Sequence, residues 1–411
     1  MLILKKYLQK YLVRVHFGGR VREFHFKGNI PASKSLFNRA LIAKSYYSNL
    51  KISGSTSCDD VAHLEKSLNQ IKTEKSFNCG EGGTTLRFLA FRLSREKGHF
   101  VLKGTSRLLS RPQVEIKNIL SQLGVEVRVN KTNIQIISNG WVAPKKSVVV
   151  QAKDSSQFLS ALFLNSWGLD FDLKVKVVGG VTSQSYLDMT LVLLNQLGLR
   201  YQKRGNFYIV PKGQKVLSKS CRVESDMSSI FSVAAFGALF GGVEFLDFPK
   251  STIQPDKQFL HFFEKMNVPV KLNRGVCKIK AAKDLRSLRA NLQNCPDLFP
   301  VLAVVCAFAK GRSILYGAPQ LKQKESNRIA KTAELLTRAG FSCQPHDDGM
   351  EIEGQKDISL ERKFTFDPDS DHRLAMAAAI LKYKGFKIKI KNSSVVKKSF
   401  PEFWSLVGVK P

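Results

Sequence analysis

The side chains in this chain that could do chemistry are mostly cations and hydroxyls, and they gather in a few short motifs. PASKSLFNRA, from Pro31 to Ala40, sets Lys34, Ser35 and Arg39 within two turns of one another. GEGGTTLR, from Gly80 to Arg87, is a glycine-rich stretch whose backbone at Gly83 can come close to a phosphate. RLLSRP holds Arg111 immediately before Pro112, and DSSQF supplies Ser155, Ser156 and Gln157. CPDL supplies Asp297, KQKESNR sets Lys324, Glu325 and Arg328 together, DHR sets His372 beside Arg373, and KKSFPEFW carries Lys397 and Lys398. Arginine forks and serine hydroxyls at helix starts suit phosphates and carboxylates. Taken singly, each motif has an ordinary explanation. Ser-Ser is usually only a helix cap, a Lys-Glu-x-x-Arg run is usually a solvated face with weak ion pairs, and a short glycine motif is a weak signal. His372 alone reads as a structural histidine.

Their weight comes from the elements that must position them. One kind of helix recurs six times, opening with polar residues and continuing apolar nearly all round: from Ser33, Gly83, Ser155, Met227, Pro296 and Asp371. Such a pattern marks a helix buried on every side. A second, one-sided kind alternates with it, from Asp60, Pro112, Tyr186, Asp256, Glu325 and Pro401. In the Pro112 segment Ile116, Ile119, Leu120 and Leu123 fall at i, i+3, i+4 and i+7. Strand-like runs such as VEVRV, NFYIV and VKLNRGVCKIK follow these helices. The repeating unit is therefore strand, buried helix, strand, amphipathic helix, strands, six times over, at roughly 60–75 residues each, longer than solenoid repeats. Six capped helix N-termini offer six clusters of backbone N–H groups that attract anions. The motifs sit at those starts.

Bulk properties narrow the class. At 411 residues, 43% hydrophobic and 24% charged, the chain has the composition of a folded protein with two or three domains. The longest apolar window, Ile230 to Val243, is short and broken by Ser and Gly, which predicts a buried helix and not a membrane span. Lys5 and Lys6 interrupt the place where a secretory leader needs its apolar run. Seven cysteines without a CxxC pair, and no histidine at metal spacing, predict free thiols, a reducing cytoplasmic setting and no metal. The net charge of +32 suggests nucleic acid, yet Lys and Arg are spread along the whole length and no nucleic-acid-binding signature appears. The expectation is a basic surface with no nucleic-acid or membrane partner.

The motif order resembles the 5-enolpyruvylshikimate-3-phosphate synthases, members of the enolpyruvyl transferase family. PASKSLFNRA is similar to their PGSKSxxNRA signature, GEGGTTLR to their glycine loop followed by Arg, and RLLSRP to their RxxxRP. DSSQF, TSQSY (Thr182 to Tyr186), ESDMSS (Glu224 to Ser229), CPD, KQKESNR, SDHRLAM and KKSFPEF continue the likeness from Ile30 to the C-terminus. The resemblance implies an α/β fold of two similar domains, each of three βαβαββ units, with the active site in the cleft between. Residues 34–224 would form one domain, and 1–33 with 225–411 the other. It implies transfer of the carboxyvinyl group of phosphoenolpyruvate to the 5-hydroxyl of shikimate 3-phosphate, by a monomer without cofactor.

By the same resemblance, Lys34 would bridge both substrates and assist phosphate departure. Ser35, Arg39, Ser155, Ser156, Gln157, Ser183, Tyr186, Gln320 and Lys324 would bind shikimate 3-phosphate, with Asp297 orienting and deprotonating its hydroxyl. Gly83, Arg111, Gln157, Arg328, His372, Arg373 and Lys398 would bind phosphoenolpyruvate, with Glu325 giving a proton to C3 and retrieving it. Four residues depart from the common pattern: Ala32 for Gly, Gln320 for Asn, Phe88 for Pro, and Glu81 for Asn. Glu81 is expected to turn away from a bound phosphate and pair with a cation such as Lys103 or Arg111. The related enzyme acting on UDP-N-acetylglucosamine carries a reactive Cys ahead of its Arg-Pro, and RLLSRP has none.

Overall fold

The structure is a computed structural model that describes residues 23–355 and 357–411. The segment read above for a secretory leader, and residues 1–22 of the domain assigned to 1–33, lie outside the described residues. The chain divides into two compact units. One takes the chain up to Pro31 together with Glu224–Pro411, and the other is Ala32–Val223.

Each unit is built on three helices that pack against one another. In Ala32–Val223 these are Lys34–Lys44, Gly83–Leu93 and Ser156–Leu164. In the other unit they are Met227–Phe240, Phe299–Ala307 and His372–Lys384. All of Phe299–Ala307 is buried, as is Met227–Phe240 except its last two residues. A helix surrounded by protein needs no polar face, which is why these segments read as apolar all round. Aromatic rings fill the space between them: Phe24, Phe236 and Tyr383 meet with centroids 5.2–5.6 Å apart. Each such ring taken out of water contributes about 1.5–3 kcal/mol. The helices outside this trio are one-sided. Arg328–Ala339 buries Ile329, Thr332, Leu335, Leu336 and Ala339, and ends at Gly340 in the left-handed region that glycine tolerates.

Four of the six repeats are complete, and they share one sheet topology. Strands run in the order first, second, fourth, third, the first two parallel and the rest antiparallel. The set Ser76–Asn78, Lys97–Lys103, Ile134–Asn139, Glu126–Val129 is one example. Val148–Gln151, Leu173–Val178, Phe207–Val210, Gln202–Arg204 is the second. Phe24–Gly28, Gly241–Phe245, Val276–Lys280, Val270–Asn273 is the third, and Arg289–Asn291, Gly311–Tyr316, Gly349–Gly354, Cys343–His346 the fourth.

The remaining two repeats are shorter. Among the described residues each shows only a parallel pair, Ser220–Arg222 with Lys51–Ser53 and Lys363–Phe366 with Lys387–Ile390, without a closing hairpin. The reason lies in the connections. After Lys51–Ser53 and its outer helix Asp59–Asn69 the chain passes directly into the next unit's first strand, Ser76–Asn78. The first strand of two repeats also comes from far away in sequence: Phe24–Gly28 lies beside Gly241–Phe245, and Ser220–Arg222 beside Lys51–Ser53. Among the described residues, no helix is long and apolar enough to cross a membrane.

Candidate functional site

The polar helix starts place the motif residues, and they form one set in each unit. In Ala32–Val223, Ser33 caps the helix that begins at Lys34, its hydroxyl accepting from the Leu36 N–H. Lys34 Nζ lies 2.9 Å from Asp60 Oδ2, a carboxylate in the first turn of the helix Asp59–Asn69. The Asp60 carbonyl accepts from Thr85 Oγ1 at 2.8 Å, and a Cβ on Gly82 would come within 2.9 Å of Asp60 Oδ1. Gly82 is therefore glycine because the Thr85 side chain and the Asp60 carboxylate leave no room for a Cβ. At the next position, a Cβ on Gly83 would stand 2.8 Å from Arg111 Nη1. Arg111 itself ends a short helix, Ser106–Ser110, capped by Thr105, in a stretch not expected to be helical. Glu81 in this loop is half-buried.

Arg39 is only 1% exposed. Its Nε donates to Thr190 Oγ1 at 2.7 Å, Nη1 to the Ser35 carbonyl at 2.7 Å, and Nη2 to the Tyr186 carbonyl at 3.4 Å. Burial pulls its guanidinium down to about 9, which leaves it cationic at neutral pH. Arg39 thus braces the helix starts that carry Ser35 and Tyr186.

Arg87 is the organiser that sequence reasoning missed. It is buried, and its Nη1 donates to Gln157 Oε1 at 2.8 Å and to Ser155 Oγ at 3.2 Å. Its Nη2 donates to the Pro112 carbonyl at 2.9 Å and its Nε to Gln113 Oε1 at 3.1 Å, and it lies 4.4 Å from the centre of the Phe158 ring. One guanidinium fixes DSSQF against RLLSRPQ. The only available sign was its place at the end of GEGGTTLR. Ser155 also caps its own helix through the Gln157 N–H, Ser156 is buried, and Ser183 is held in the left-handed region at φ 56° before the helix Gln184–Gln196.

The second set lies in Glu224–Pro411 and centres on Arg328, also 1% exposed. Its Nε donates to Asp371 Oδ2 at 2.7 Å and its Nη1 to Asp297 Oδ1 at 2.8 Å. Its Nη2 donates to Glu325 Oε2 at 3.1 Å and Asp371 Oδ1 at 3.3 Å. Three more cations surround these carboxylates. Lys324 Nζ is 3.7 Å and Arg373 Nη2 3.8 Å from Asp297, and Lys398 Nζ is 3.4 Å from Glu325. Burial raises the Asp297 carboxyl, but Lys324, Arg328 and Arg373 outweigh it and hold the group well below the usual carboxylate range. Burial alone would lower the Arg328 guanidinium; Asp371, Asp297 and Glu325 raise it instead.

Local structure explains who stands where. Asp297 occupies a 3₁₀ turn, Pro296–Leu298, ahead of the helix Phe299–Ala307. Glu325 was expected at a helix start, but Asn327 takes the cap by accepting from the Ala330 N–H, so the helix begins at Arg328 and Glu325 precedes it. Asp371 caps the helix His372–Lys384 through the Arg373 N–H and accepts from Ser326 Oγ at 3.1 Å. It is fully buried, and sequence reasoning saw in it only a cap. His372 is buried with Nδ1 4.0 Å from Asp371 Oδ1, and Gln320 donates to the Gln293 carbonyl at 3.1 Å. The structure therefore brings Asp297, Lys324, Glu325, Arg328, Arg373 and Lys398 together in one unit. In the other it brings Lys34 beside the glycine loop and Arg111, and Ser155 with Gln157.

Set beside known proteins, residues 47–406 match the family described as EPSP synthase (3-phosphoshikimate 1-carboxyvinyltransferase). The chain is 29% identical to the 3-phosphoshikimate 1-carboxyvinyltransferase of Clostridium novyi, over 92% of its own length and 93% of that protein. It is 32% identical to the protein of the same name from Thermococcus kodakarensis, over 92% and 95%. Among solved structures, EPSP synthase from Acinetobacter baumannii superimposes with a TM-score of 0.75 at 21% identity, covering 96% of this chain and 97% of that one. The enolpyruvyl transferase NikO from Streptomyces tendae superimposes at 0.70 with 12% identity, over 97% of each chain.

Proposed function

The chain belongs to the EPSP synthase family, and on that premise we propose that its two polar sets hold shikimate 3-phosphate and phosphoenolpyruvate while Asp297 and Glu325 move the protons. The reaction is carboxyvinyl transfer to the 5-hydroxyl of shikimate 3-phosphate with release of inorganic phosphate, a step of aromatic amino acid biosynthesis. Two phosphates and two carboxylates must be held, which accounts for so many cations and helix N-termini.

In this reading Asp297 takes the hydroxyl proton as the oxygen adds to C2 of phosphoenolpyruvate. Glu325 delivers a proton to C3, then removes one as the C–O bond to phosphate breaks. No oxidation state changes, so no redox cofactor is called for. Arg328 spends most of its N–H groups on Asp297, Glu325 and Asp371, and its first contribution is to hold the two reacting carboxylates apart and in place. Arg373, Lys398, His372 and the remaining Arg328 N–H meet phosphoenolpyruvate, and Lys324 and Gln320 meet shikimate 3-phosphate. In the other unit Ser155, Ser156, Ser183, Ser35 and Tyr186 bind shikimate 3-phosphate, Arg39 reaching its carboxylate through N–H groups not spent internally. Lys34, Arg111, Gln157 and the Gly83 N-terminus bind phosphoenolpyruvate. Because both sets come from one chain, we place the activity in a monomer. Seven free cysteines support a reducing, cytoplasmic setting.

The observation that carries this reading is the attachment of Asp297 and Glu325 to one buried guanidinium, ringed by three further cations. The test is phosphate release from phosphoenolpyruvate. Release is expected with shikimate 3-phosphate present and not with UDP-N-acetylglucosamine in its place. The opposite acceptor preference, or no release with either, overturns it.

The glycine loop adds a second expectation. Gly83→Ala must displace the Arg111 guanidinium, since its Cβ would stand 2.8 Å from Nη1. KM for phosphoenolpyruvate is expected to rise about tenfold or more, with KM for shikimate 3-phosphate nearly unchanged. Steady-state kinetics in both substrates checks this; an equal rise in both would instead show general distortion of the unit.

A further inference from the structure

Arg373 differs from Arg328 in how it is held. It is 3% exposed, and its Nη2 donates to Ser228 Oγ, a neutral hydroxyl on the helix Met227–Phe240. That hydroxyl donates in turn to Asp226 Oδ1 at 2.8 Å. Among the described residues, Nε and Nη1 of Arg373 are buried with no acceptor. A buried cation with unsatisfied donors is costly, and the cost is removed when an anion arrives. Asp297 Oδ2 stands only 3.8 Å from Nη2, so without a competing acceptor the guanidinium would swing onto that carboxylate and satisfy itself there.

We propose that Ser228, backed by Asp226, is a positioning residue that holds Arg373 off Asp297 and keeps its Nε and Nη1 turned to the phosphoenolpyruvate carboxylate. This rests on the reading above in which Arg373 meets phosphoenolpyruvate. Ser228 touches no substrate; it acts through Arg373. The ordinary alternative is that Ser228 only decorates a helix start. The structure separates the two, because the cap bond to the Ser229 N–H is made by Asp226 Oδ1 itself and survives the loss of Ser228.

The experiment is steady-state kinetics and thermal unfolding of Ser228→Ala, Ser228→Thr and Arg373→Lys. Ser228→Ala is expected to melt cooperatively and to raise KM for phosphoenolpyruvate about tenfold, the scale of one hydrogen bond to a charged group. KM for shikimate 3-phosphate should stay within about twofold, inside the effect of one ordinary contact. Ser228→Thr, which keeps the hydroxyl, should return KM for phosphoenolpyruvate towards the parent value. If Ser228→Ala leaves that KM unchanged, raises both KM values alike, or is not relieved by Thr, the positioning role is wrong. If Arg373→Lys itself leaves KM for phosphoenolpyruvate unchanged, the fault lies in the underlying assignment of Arg373.

Discussion

Arg328→Met is expected to lose about 3–5 kcal/mol of stability, the usual cost of removing one partner from a buried ion pair. Methionine fills much of the same volume, so the loss is electrostatic. Asp371 is fully buried and would keep only Ser326 and the Arg373 N–H as donors, while Asp297 and Glu325 would lose the cation that separates them from it. Against a total stability of about 5–15 kcal/mol, that is enough to populate unfolded chains near physiological temperature. The pH dependence gives the sign. In the parent, Asp297 is depressed below its unfolded value, so its contribution is complete above about pH 4 and is lost as pH falls further, through the folded value. In the variant Asp297 loses one of the three cations that outweigh its burial, so its folded value rises and its contribution above pH 4 shrinks, a loss that should appear at pH 8 and at pH 5 alike. Melting curves at those two pH values check this. A variant that melts with the parent at both would show that Arg328 is not the group holding the cluster together.

Asp297→Asn and Glu325→Gln should each lower turnover by about two to four orders of magnitude, the scale of a lost general acid or base, with folding still cooperative. Both substitutions keep shape and an acceptor oxygen for Arg328, so the partner is not left wholly bare. Asp297 is held below the carboxylate range by Lys324, Arg328 and Arg373 against the pull of burial, so it is ionised throughout the working range. Any acid limb of kcat between about pH 5 and 7 therefore belongs to another group, because Asp297 is already deprotonated there. Variants that unfold, with no separate loss of turnover in the folded fraction, would assign both carboxylates to structure.

The parts of this design that lie within one segment were legible in the sequence. All-round apolarity marked the buried helices from Gly83, Met227 and Asp371, and the heptad-like spacing of Ile116, Ile119, Leu120 and Leu123 marked a one-sided one, all four being fully buried. What escaped was non-local. Nothing near Arg87 in sequence says that it reaches Ser155 and Gln157, about seventy residues on, and nothing near Asp371 announces Arg328. The boundary error at Glu325 was a contest between two capping residues, which Asn327 won.

The pairing of Phe24–Gly28 with Gly241–Phe245 also sets an order of events at the ribosome. The Ala32–Val223 unit has all its strands once Ser220–Arg222 has emerged, so it can close first. The strand Phe24–Gly28 is made before any of it, and its partner follows about two hundred residues later. At about 5–20 residues per second, that is a wait on the order of ten to forty seconds. Throughout it Phe24 and Phe26, both buried in the finished protein, have no core to enter. A short strand with one aromatic face uncovered and both edges open is the kind that pairs with the wrong neighbour. Nascent chains stalled between the two strands should therefore be the species most dependent on chaperones, and the last piece of this protein to be protected from exchange should be among the first that was synthesised.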